Sequence, residues 1–131
     1  GGRVTALAGM SSRQLLEAAD TLLSVPSPAW EGRWPRAVAL LTRQALERAM
    51  EELFATTSPP LVRASFRAQL LALRIWVPAD LAGRVAYAWA ALTRATHHHA
   101  YELPPTAAEL AGWLETTDEL SRTVAKRAAV G

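Results

Sequence analysis

The chain has no cysteine in its 131 residues, so a disulfide framework, a thiolate metal site and a cysteine nucleophile are all excluded at once. Lysine is nearly absent too, Lys126 being the single example. No apolar run approaches the roughly 20 residues that a membrane-spanning helix needs, and no basic start leads into a signal-like apolar segment. A soluble, cytoplasmic protein with no membrane partner is therefore expected. Charged residues make up only 20% of the sequence and hydrophobic ones 50%, enough apolar material for one real core and too much for a disordered chain. The pI near 9.7 accompanies a net charge of only +2. Its height records that the bases are arginines, which do not titrate near neutrality, rather than a basic block made for nucleic acid. Interleaved with glutamates, the arginines read as ordinary solvated faces, with Arg94 as the exception.

What is present is helical periodicity punctuated by proline. Residues 1–10 show no sustained period and are read as a flexible N-terminal segment consistent with a vector-derived extension; residues 11–131 are read as a single domain. A first helix opens at Ser11, with Gln14 as its capping-box partner, and carries Leu15, Leu16, Ala19, Leu22 and Leu23 on one face. After a Pro- and Trp-rich connection, in which Trp30 and Trp34 are expected to pin a turn against the core, a second helix spans about 35–55. Its polar stripe, including Arg43, Gln44 and Glu47, is expected to be solvated. The spacing predicts a third helix over 59–75 and a fourth, the most apolar, over 81–98 with Asp80 as its cap. A fifth opens on a Thr106–Glu109 capping box, and residues 121–131 are expected to fray. Five helices without strand-like alternation make an all-α bundle.

Chemistry concentrates at the end of the fourth helix, in Arg94-Ala-Thr-His-His-His-Ala-Tyr101. All three histidines lie here, and imidazole, with a pKa of about 6.5, exchanges protons near neutrality. Arg94 adds a permanently charged fork suited to phosphate. On a continuous helix Arg94 and His99 stand about 140° apart, whereas His97 and His98 lie nearer its face. That spacing nominates no single histidine. Metal binding is not expected, because none of the three histidines has another four residues away, even if Glu102 supplied an oxygen. A purely structural reading also stands, in which the histidines satisfy a helix C-terminus.

The Arg-x4-His-x-Tyr pattern formed by Arg94, His99 and Tyr101 resembles the signature of HEPN domains paired with minimal nucleotidyltransferases. The specific match covers eight residues. The helix order over about 11–124 agrees, including the Arg43-Gln-Ala-Leu-Glu stretch running to Phe54, the long fourth helix and a closing helix after Pro104-Pro105. The resemblance implies an antiparallel HEPN-like bundle that acts as a homodimer and cleaves RNA without metal or other cofactor. It further implies that Arg94 holds the scissile phosphate, that His99 is the general acid or base, with His97 and His98 supporting, and that Tyr101 is a site for modification by a nucleotidyltransferase-type antitoxin. Ala95 occupies the position after the arginine where active relatives usually carry a polar residue. A second reading therefore stands beside the toxin or defence ribonuclease: a catalytically inert HEPN-like module for dimerisation, nucleotide binding or protein interaction.

Overall fold

A computed structural model describes residues 9–24, 34–97 and 103–130. Among these residues there are five α-helices and no strand: α1 (Ser12–Ser24), α2 (Trp34–Thr57), α3 (Phe66–Leu73), α4 (Ala79–Thr96) and α5 (Ala107–Val130), with a 3-10 segment Pro59–Arg63 between α2 and α3. The all-helical expectation holds. No helix among the described residues is long and apolar enough to cross a membrane.

The two capping boxes form as their sequences require. Ser11 N–H donates to Gln14 Oε1 at 2.9 Å and Gln14 N–H to Ser11 Oγ at 3.2 Å, while Thr106 and Glu109 exchange the equivalent pair at 3.0 and 3.1 Å. Each satisfies amide hydrogens that the first turn of a helix leaves without partners.

Helix α2 is the hub. Val38, Ala39, Ala45, Leu46, Ala49, Met50, Leu53 and Phe54 are all buried, over an arc wider than a one-sided helix uses. The width follows from its neighbours, because α2 packs against α1, α4 and α5. Several of the buried positions are alanines, which let adjacent backbones come close. Ser12 bonded to Glu52 at one end, and Trp34 Nε1 donating to the Leu22 carbonyl at the other, make α1 and α2 antiparallel. Arg13 bonded to Asp118, with Leu23 and Ala111 sharing the same groove, sets α1 antiparallel to α5. Arg84 paired with Glu119, with Ala88 near Trp113, does the same for α4 and α5. The result is an up-down-up-down arrangement of α1, α2, α4 and α5, with short α3 leaning on α4 through a Phe66–Trp89 ring stack at 4.7 Å.

Four expectations change. The helix expected over 59–75 is split, because Pro59-Pro60 start a 3-10 turn and Ala64 and Ser65 are extended. Ser65 then caps α3, its Oγ accepting from Ala68 N–H at 3.2 Å. Asp80 is not the cap of α4; Pro78 holds that position, and Asp80, in the first turn, pairs with Arg84 at 3.0 Å. Residues 121–130 remain helical, anchored by buried Ser121 and Val124 and by Arg127 lying 4.6 Å over the Trp76 ring. The stripe of α2 is only partly solvated: Arg43 is half-buried and bonds across to α4.

A candidate site at the C-terminal end of α4

Helix α4 is fixed along its length by buried Leu81, Val85, Ala88 and Leu92, so its last turn is carried by a rigid body. That turn ends earlier than the 81–98 expectation. Thr96 is the last helical residue, and His97 adopts extended backbone (φ −80°, ψ 140°) while its N–H donates to the Arg94 carbonyl at 3.2 Å. The angular spacing of an ideal helix therefore does not carry from Arg94 to His97.

Arg94 is exposed on the final turn, with its guanidinium engaged in no hydrogen bond or ion pair among the described residues. Its position near the helix C-terminus is electrostatically favourable, since the last carbonyls carry partial negative charge. Ala95 is half-buried and packs on the core. His97 is exposed immediately after the helix. The other expected site residues, His98, His99 and Tyr101, and with them Glu102, lie outside the described residues, as does Trp30. Trp34 is half-buried against the core with its N–H on the Leu22 carbonyl, as a pinned turn requires.

The role of Arg43 was not legible in the sequence. From α2 it donates to Thr96 Oγ1 at 2.9 Å, and that hydroxyl donates in turn to the Thr93 carbonyl at 3.0 Å. Thr96 follows Arg94 by two residues, about 200° around the helix, so Arg43 grips the turn from the side opposite Arg94. It is an anchor, and Arg94 is the group left outward. The i,i+4 relation to Glu47, whose carboxylate stands 3.7 Å from Arg43 Nε, was visible in the sequence; the reach to α4 was not. On α2 and α4, Arg43 Nε, Gln44 Oε1, Trp89 Nε1 and Thr93 Oγ1 are buried polar atoms with no hydrogen-bond partner among the described residues.

No protein-family profile, curated protein or solved structure matches the chain.

Proposed function

We propose that the protein is a HEPN-like domain of the cytoplasm that cleaves RNA without a metal ion, with two copies bringing their Arg94 groups into one cleft. The observation that supports this reading is the outward guanidinium of Arg94 on a turn whose opposite side is tied down by Arg43. A cation held on a rigid base and directed to solvent suits a phosphodiester. RNA supplies its own nucleophile. The ribose 2′-oxygen attacks phosphorus, the bond to the 5′-oxygen breaks, and a 2′,3′-cyclic phosphate and a 5′-hydroxyl result. Arg94 stabilises the charge that develops on the phosphoryl oxygens. His99 takes the 2′-hydroxyl proton or protonates the leaving oxygen, assisted by His97 and His98. Tyr101 is the modification site through which a nucleotidyltransferase-type antitoxin would silence the pair.

The test is incubation of the purified protein with mixed cellular RNA in the presence of EDTA, beside folded Arg94→Ala and His99→Ala variants. Cleavage by the wild type and its loss in both variants is the expected result. Cleavage that survives in either variant would remove that residue from the mechanism.

One observation favours a second reading, an inert HEPN-like module acting through dimerisation, nucleotide binding or a protein partner. Ala95 is packed on the core and brings no polar group to the position after Arg94. A dimer that leaves RNA intact in the same assay would establish this alternative.

A further inference from the structure

The opposite pole of the bundle carries a groove of about 810 Å³, the right size for a small molecule, between the last turns of α2 and α5. Trp76 forms one wall, and Thr123, Lys126, Arg127 and Val130 belong to the other. Three features of its chemistry agree. First, the described lining residues include two cations and no carboxylate, and neither Lys126 nor Arg127 forms an ion pair among the described residues. Second, the Trp76 indole N–H is buried and finds no acceptor among the described residues, a condition that folded proteins rarely leave standing. Third, the threonine hydroxyls are already committed. Thr56 and Thr57 donate to the Leu53 carbonyl at 3.1 and 2.9 Å, and Thr123 donates to the Glu119 carbonyl at 2.8 Å. The donors still available at the groove are thus the two cations, and its remaining surface is ring, methyl and methylene.

The Arg127 guanidinium carbon lies 4.6 Å from the centre of the Trp76 ring. A guanidinium held over a ring in this way still has N–H groups to offer an oxygen. Lys126 adds a second, mobile charge beside it.

From this combination we propose that the groove is a binding site for a small amphipathic anion, a phosphate or carboxylate carried on an apolar or aromatic body. The anionic oxygens sit between Lys126 and Arg127, and the apolar body lies against Trp76 and the side chains of the last turn of α5. The site is independent of the Arg94 end of α4.

Two-dimensional proton–nitrogen spectra of the intact chain test this directly, since each of the 5 tryptophans gives one indole signal and Trp76→Phe identifies the one that belongs to Trp76. Three probes separate the two halves of the ligand: phenyl phosphate, inorganic phosphate and benzyl alcohol. Phenyl phosphate is expected to move the Trp76 signal saturably, with a Kd of about 1 mM or tighter, and at least about tenfold more tightly than either half alone. A Lys126→Ala/Arg127→Ala double variant, checked as folded by its amide spectrum, is expected to lose that response. The assignment fails if the Trp76 signal does not respond, or if the double variant responds like the wild type. It fails equally if inorganic phosphate matches phenyl phosphate, which would be pairing with surface cations. A match by benzyl alcohol would mean an apolar cleft without anion recognition and would overturn it too.

Discussion

Arg43 and Thr96, 53 residues apart, are joined by a 2.9 Å hydrogen bond from the guanidinium Nη1 to the hydroxyl oxygen. The bond couples the hub helix to the turn that bears Arg94. Because the Thr96 hydroxyl itself donates to the Thr93 carbonyl, one side chain bonds both to its own last turn and to α2. Rigidity at a helix terminus usually has to be supplied from outside the helix, since terminal carbonyls have no partners within it.

Replacing Thr96 by valine keeps the shape and removes both bonds. Stability is expected to fall by about 1–3 kcal/mol, because Arg43 loses an acceptor in a half-buried position. Urea titration measures this. The His97 amide, bonded to the Arg94 carbonyl, is expected to exchange with solvent faster in the same variant. If the proposed chemistry holds, RNA cleavage drops much further than stability does, as a displacement of about 1 Å at a reacting group can cost about a hundredfold. Unchanged stability would show that the Arg43–Thr96 contact contributes nothing net.

Arg94→Ala is expected to behave in the opposite way. The side chain is exposed, so the unfolding free energy should change by no more than about 0.5 kcal/mol. A thermal or urea transition superimposable on that of the wild type makes the variant a clean probe of binding or catalysis. A loss above about 1 kcal/mol would instead place Arg94 in the wiring of the fold.

A buried polar knot joins three helices. Ser12 Oγ lies 2.6 Å from Glu52 Oε1 and 2.7 Å from Ser121 Oγ, while Ser12 N–H donates to Glu52 Oε2 at 3.1 Å. Glu52 thereby acts as a cap for α1 supplied by α2, where negative charge meets the positive end of the helix dipole. Glu52→Ala leaves the first-turn amide of Ser12 without its acceptor and the Ser12 hydroxyl with Ser121 alone, and is expected to cost about 1–3 kcal/mol. Glu51→Ala, at the exposed neighbouring position, should cost no more than about 0.5 kcal/mol. Equal urea midpoints for the two variants would contradict the capping role.

The parts of the fold that were legible in the sequence are those decided within four residues. The Ser11–Gln14 and Thr106–Glu109 boxes, the apolar faces of α2 and α4 and the proline-marked breaks all belong to this class. What escaped depends on residues far apart in the chain. Glu52 finds Ser12 across 40 positions and Arg84 finds Glu119 across 35; no local pattern marks either. The last turns of α5 looked ready to fray because their composition is alanine with a few bases, and the contact of Arg127 with Trp76 that helps hold them is again long-range. At the candidate site, sequence picked out Arg94 through its place before the histidines. It could not show that the last turn of α4 is tied to α2, because that contact joins residues 53 positions apart.

The Arg84–Glu119 pair gives stability a pH dependence whose sign is fixed. Arg84 donates to both Glu119 oxygens, at 2.8 and 3.1 Å, and its Nε donates to Asp80 at 3.0 Å. These hydrogen bonds hold the Glu119 carboxyl below its ordinary value of 4.5, with the nearby charges of Arg84 and Arg122 acting in the same direction against a desolvation effect that opposes them. The guanidinium of Arg84 is pushed further above its already high range by the same partners, so it stays charged throughout. A carboxyl with a depressed folded-state pKa contributes stability that is present above its unfolded value and disappears as pH falls through the folded one. The contribution is therefore complete at neutral pH and lost below about 4.5. Glu119→Gln keeps the size of the side chain and removes the charge. The stability gap between wild type and this variant, measured by urea unfolding from pH 7 downward, is expected to hold steady to about pH 5 and then close. High salt should narrow the gap at neutral pH as well, because the pair is partly exposed and screened. A gap that widens on acidification would show that protonated Glu119, not the carboxylate, is the form the fold prefers.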